Sequence, residues 1–350
     1  VPILEEVLRY EPDLVVLCVG HNEFLESRTF DHVASRGRLL NASLDAASRL
    51  RTFTLLREGY LRLQGVLSAD PPESRPILPT EVDALLDYRG GLEQYHRDDA
   101  WKSGVVAQYR FNLRRMVGMA RDAGVDMILI NPVSNLCDSP PFKSEHGADL
   151  SPAELREWES ICEAAHAHSR RGNYDLQKAI RLFERACRID PLHAGCFYNL
   201  ASCYQAAGQL DQSRDAYIKA KDLDVCPLRI LQEMNEAVLE IADDTGTPLV
   251  DAQQLFEERS TDKIVGGDWL VDHVHPSVEG HQLLADALTA KLVSLGKVHP
   301  RAGWEQVKRE RYREHFDSLD ALYFLKGEQR LSALRNWAKG RAERLRRGSK

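Results

Sequence analysis

The stretch Leu14-Val15-Val16-Leu17-Cys18-Val19-Gly20-His21-Asn22-Glu23-Phe24 decides the fold class. Six apolar residues end on a glycine and polar loop residues follow, which predicts a buried strand with Asn22 two residues past the strand-ending glycine. A similar run stands at Met127–Ile130, behind a helical pattern over Val105–Ala123 and Gly124, and a shorter one at Leu249–Val250. Runs of this kind alternating with helices predict an α/β chain whose parallel sheet is covered by helices. In such sheets ligands gather at the carboxyl ends of the strands, so chemistry is expected in the loops that follow these runs.

The rest of the chain fills in around that frame. Residues 27–123 are mostly helical in pattern, broken by the proline-rich Ala69–Pro79, and predict a cap or side lobe. A net charge of −7 argues against a general nucleic-acid binder, although Arg335–Lys350 is locally basic. No stretch approaches the ~18 apolar residues of a membrane helix. Seven cysteines form no CxxC pair, so neither a zinc site nor a disulfide framework is indicated. Val1 opens in the middle of an amphipathic helical pattern, so an upstream piece is expected, and with it any address; localisation is left open.

Residues 153–225 change character. A self-comparison aligns Ala179 with Ser213, Phe183 with Tyr217, Ala186 with Ala220 and Asp190 with Asp224, an offset of 34 residues. That is the tetratricopeptide period, with small residues where helices cross and aromatics beside them. The second unit is the cleaner, with Phe197, Leu200, Ala201, Tyr204 and Gly208 also in place; the first has Gly172 and Pro191. Two such units cannot bury their faces alone, so the pair must lean on the α/β domain or on C-terminal helices over Trp304–Trp337.

Two loops carry chemistry. The Asn22 amide, at the functional edge of the sheet, can donate to an oxyanion, or the residue can cap the helix that follows. Downstream, Asp272-His273-Val274-His275-Pro276 puts an aspartate three residues before a histidine on one tight loop. There the carboxylate can reach Nδ1, fix the ring's tautomer and stabilise an imidazolium. A metal held by Asp272, His273 and His275 is the competing reading, though no further cluster offers the remaining ligands. Ser134, in the loop after Met127–Ile130, reads as a structural or substrate-lining residue.

Gly20-His21-Asn22-Glu23 and Asp272-His273-Val274-His275-Pro276 resemble, in order, the oxyanion-asparagine block and the terminal DxxH block of SGNH (GDSL-like) hydrolases. Asn131-Pro132-Val133-Ser134-Asn135 followed by Pro140-Pro141-Phe142 resembles a branch of that family that carries tetratricopeptide repeats. The resemblance implies a three-layer, flavodoxin-like parallel-sheet domain with an all-α tetratricopeptide insertion and C-terminal helices. The hydrolase would occupy 1–150 and 226–300, the two repeats 151–225 and the helical extension 301–350. It implies Asn22 as oxyanion donor in a loop opened by Gly20, His275 as general base and acid, and Asp272 as its orienting carboxylate. His273 has no family role, and Glu23 stands where the family has Asp.

The family's nucleophilic serine, in a GlyAspSer-like segment, and the glycine of its second oxyanion block are expected upstream of Val1. Loss of a triad nucleophile costs about 10⁶-fold in turnover, so these 350 residues alone are expected to be inactive and the intact parent active. The implied function is hydrolysis of a small acyl ester, which needs no metal or organic cofactor, with the insertion as a site for a protein or peptide partner. The alternatives are a non-catalytic adaptor on a decayed hydrolase core and an enzyme moving an acyl group to or from a carbohydrate hydroxyl.

Overall fold

The computed structural model describes residues 1–25, 95–169, 175–329 and 331–332. Residues 1–24 and 95–350 form one compact unit, and 25–94 another. Most of the expected side lobe, Gly172 and the basic stretch Arg335–Lys350 lie outside the described residues. In chain order the elements are α1 (Pro2–Leu8), β1 (Leu14–Leu17), α2 (Asp99–Asp122), β2 (Asp126–Ile130), α3 (Pro152–Ser169), α4 (Leu176–Ile189) and α5 (Ala194–Ala206). There follow α6 (Leu210–Asp222), α7 (Gln232–Thr245), β3 (Leu249–Val250), α8 (Ala252–Arg259), α9 (Val278–Ser294) and α10 (Trp304–Asp317). The described chain is thus mostly helical, with one small parallel sheet.

The sheet runs β1-β2-β3, with Leu17 opposite Leu129 and Leu129 opposite Leu249. Because side chains alternate along a strand, the central β2 feeds two cores. Met127 and Leu129 join Leu113 and Met116 of α2 and Met234 and Ile241 of α7. Ile128 and Ile130 join Val250 of β3 and Leu284, Leu288 and Leu292 of α9. Helices therefore lie on both faces, which is why β2 reads as a continuous apolar run. Full burial of each such side chain contributes about 1.5–3 kcal/mol. β1 forms an edge of the described sheet, and Val16 on it is 40% exposed.

Two boundaries differ from the sequence pattern. The helix before β2 starts at Asp99 and not at Val105, because the Asp98 carboxylate caps it by accepting from the Trp101 amide at 2.8 Å. β1 stops at Leu17 and not at Val19, whose carbonyl instead accepts from the Tyr109 hydroxyl at 3.1 Å.

The repeat segment folds as two antiparallel helix pairs, α3 with α4 and α5 with α6. Ser151 and Glu154 exchange hydrogen bonds at the start of α3, a capping box. Ala179, Ala186, Ala201, Ser213 and Ala220 are all buried at the crossings, and Phe183 and Tyr217 fill the space beside them. Ala216 and Tyr217 pack with Leu136 and Ile264, so the second pair leans on the α/β part. The C-terminal α10 buries none of its residues.

Candidate active site

The loop after β1 is fixed by three constraints. Gly20 has φ 141°, and a Cβ there would stand 2.4 Å from Ile230 Cδ1, so only glycine suits both the backbone and the space. The Tyr109 hydroxyl holds the Val19 carbonyl from one side. On the other, the Ile230 amide donates to His21 Nδ1 at 3.2 Å, which places the His21 proton on Nε2. Burial first, then the neighbouring charges of His273 and Lys221, lowers the His21 pKa to about 3, so the ring is neutral. Asn22 is exposed at the start of a helical turn that begins at Glu23, and its side chain makes no hydrogen bond among the described residues. Its amide is therefore not engaged there in capping the helix.

The second loop is closed by an antiparallel bridge between Leu270 and Pro276 and by the Val271 amide donating to the His275 carbonyl at 2.9 Å. Gly280 is required below it, since a Cβ would lie 2.7 Å from the Trp269 carbonyl. Inside the loop, Asp272 Oδ1 accepts from the amides of Val274 and His275, both at 2.8 Å. Its Oδ2 meets His275 Nδ1 at 2.6 Å. Burial would raise the Asp272 carboxyl, but the hydrogen bonds from the His275 ring and the two amides outweigh it and hold the pKa at about 2. An ionised carboxylate can only accept, so Nδ1 carries the proton and Nε2 presents a lone pair. The His275 side chain is 68% exposed. The hydrogen bond to Asp272 raises its pKa, against a smaller opposing effect of burial.

His273 is a different kind of histidine. It is half-buried, edge-on to Phe142 at a ring separation of 5.0 Å, and desolvation above all lowers its pKa to about 4. Its Nδ1 is 3.8 Å from Asp272 Oδ1. Among the described residues no group of three or more His, Cys, Asp or Glu is placed to hold a metal ion. The loop after β2 joins the arrangement through Asn135, whose amide donates to the His273 carbonyl at 3.0 Å and whose side chain donates to the Asp272 carbonyl at 3.1 Å. Ser134 beside it is buried, with no partner for its hydroxyl among the described residues.

His21 of the first loop lies near the second, since the charges of His273, His275 and Asp272 act on it. The loop after β1 and the Asp272–His275 loop, from opposite ends of the sequence, thus come near one another at His21. His21, Asn135, Arg229 and Ile230 are site-building residues that the sequence pattern does not single out. His21 lies within the motif but carries no distinguishing spacing, and Arg229 and Ile230 follow a Cys-Pro-Leu stretch that reads as a connection.

The helix pairs of the repeat segment carry a likeness to a known family. Residues 182–215, from the second half of α4 through α5 into α6, carry the 34-residue pattern on buried crossings. They match the tetratricopeptide repeat family. No curated protein and no solved structure matches the chain. In the tetratricopeptide segment the Ser213 hydroxyl donates to the Ala201 carbonyl at 2.8 Å, which pins α6 to α5 where both side chains are small. Tetratricopeptide helices stack into surfaces that bind protein partners. Among the described residues no helix is long and apolar enough to cross a membrane.

Proposed function

We propose that this chain carries the base and oxyanion parts of an SGNH-type serine ester hydrolase, built on a three-layer α/β domain with a tetratricopeptide insertion. The observation that carries the reading is the Asp272–His275 pair, held at 2.6 Å through Nδ1 on a loop near His21. In the proposed reaction a seryl hydroxyl attacks the carbonyl carbon of a small acyl ester, and its proton passes to His275 Nε2. Asp272 steadies the imidazolium, and the Asn22 amide donates to the oxyanion. His275 then returns the proton to the leaving alcohol, and water repeats the cycle to release the acid.

Among the described residues no serine hydroxyl bonds to His275. The proposal therefore takes the nucleophile from the GlyAspSer-type segment that the resemblance implies. No cofactor is required. The tetratricopeptide match favours a second reading, a non-catalytic adaptor in which the same loops serve only the fold. Turnover of p-nitrophenyl acetate by the protein expressed from its own start codon separates the two. The hydrolase reading predicts turnover orders of magnitude above buffer; a rate equal to buffer across short and medium acyl chains favours the adaptor.

A further inference from the structure

We infer that the ten residues Lys221–Ile230, where the chain leaves the helical repeats, position both halves of the candidate site, with Arg229 as the positioning residue for the Asp272–His275 loop. The inference rests on the acyl-transfer reading for its kinetic consequence, but not for its structural one.

Arg229 is 2% exposed, and its Nη1 donates to the carbonyls of Asn135 at 2.9 Å and Ser139 at 2.7 Å. Asn135 in turn gives its amide and its side chain to the carbonyls of His273 and Asp272. One residue therefore separates the guanidinium from the loop that holds His275. A second route runs through Asp224, 3.7 Å from Arg229 Nη2. Its carboxylate accepts from the amides of Phe142 at 2.7 Å, Lys143 at 3.0 Å and Cys226 at 3.0 Å, and the Phe142 ring meets the edge of His273.

The other half of the site hangs from the same stretch. The Ile230 amide donates to His21, and the Ile230 side chain fills the space that Gly20 leaves open. Behind it, Lys221, on the last turn of α6 and 3% exposed, donates from Nζ to the Ile230 carbonyl at 2.7 Å. Burying two cations costs several kcal/mol each before compensation, and apolar side chains would hold a core together as well or better. What a guanidinium and an ammonium supply here, and apolar groups cannot, is directed donors for the carbonyls of irregular loops. The tetratricopeptide pair thereby bears on both loops through its own exit segment.

The test substitutes Arg229→Met and Arg229→Lys in the protein expressed from its own start codon. It follows the His275 ring by nitrogen-detected NMR titration alongside kcat and KM for p-nitrophenyl acetate. With the circular dichroism unchanged, Arg229→Met is expected to bring the His275 titration down toward that of an ordinary histidine. It is also expected to lower kcat by up to about 10²-fold, as misplaced catalytic groups do, with KM nearly constant. Arg229→Lys keeps the charge but not the fork and is expected to fall between; it decides the matter should Arg229→Met not fold. A folded variant whose His275 titrates as in the parent overturns the inference. If the parent turns over no ester, the acyl-transfer reading fails separately, and the His275 titration still decides the positioning role.

Discussion

Replacing His275 by alanine lowers p-nitrophenyl acetate turnover of the intact protein by about 10⁴-fold or more, with the fold retained, because the ring is the proposed acceptor of the nucleophile's proton. The ring is 68% exposed, so its removal opens no cavity. Asp272→Asn gives a loss of about 10⁴-fold by a different route, since an amide that can donate toward Nδ1 no longer enforces the tautomer with a lone pair on Nε2. Asn22→Ala loses about 10²–10³-fold, the effect of one oxyanion donor. The pH dependence has a definite sign. Catalysis needs neutral His275, and its pKa is raised by Asp272, so the acidic limb of the parent lies above the ordinary histidine value. In Asp272→Asn that limb moves to lower pH even as the plateau collapses. Steady-state rates from pH 5 to 9 on the parent and the three variants check all of this; equal losses for Asn22→Ala and a surface control such as Gln254→Ala would remove Asn22 from the site.

The second large effect is on stability. His21, His273 and His193 are neutral in the folded protein, with burial chiefly responsible for pKa values of about 3, 4 and 4. His193 is committed in the same way as His21, since its Nδ1 caps α5 by accepting from the Cys196 amide at 3.1 Å. All three pKa values are depressed, so their contribution is fully present above about pH 6.5 and is lost as pH falls toward 4. Asp224 works the other way. Burial pushes it up to about 6 despite Arg229, so the folded state takes up that proton first. Near pH 5 these four groups therefore bind about two more protons in the unfolded chain than in the folded one, and stability falls by about 2.7 kcal/mol per pH unit. Below pH 4 the Asp272 carboxylate, held at about 2, adds a further loss on the order of 1–2 kcal/mol. Urea unfolding at pH 7, 6 and 5 measures this directly. A midpoint that does not move across that range would mean that these rings are protonated or solvated in the folded state.

How much was legible in the sequence depends on the range of the interaction. The three strands could be read because β2 is buried on both faces, and such a strand must be apolar throughout. The 34-residue offset could be read because each helix crossing needs a small residue, as at Ala201 and Ser213. The Asp272–His275 pair is likewise local, three residues on one turn. Boundaries were off where a side chain from elsewhere intervened, as Tyr109 does at Val19. The roles of Arg229, Lys221 and Asn135 were not legible because each acts on backbone carbonyls, for Arg229 and Asn135 far away in sequence, and a carbonyl leaves no trace in residue type. The Arg229 to Asn135 bond spans 94 residues, and no spacing rule reaches that far.

The central claim is that His275 is the base for a seryl nucleophile, and the most direct measurement of it is labelling by a fluorophosphonate probe. The protein expressed from its own start codon is treated with the probe, and the product is weighed intact and mapped by peptide mass spectrometry. The account predicts one adduct per chain, on a single serine upstream of the strand Leu14–Leu17, and its near disappearance in His275→Ala. No adduct on the intact, folded protein, or an adduct that forms equally fast without His275, would contradict it.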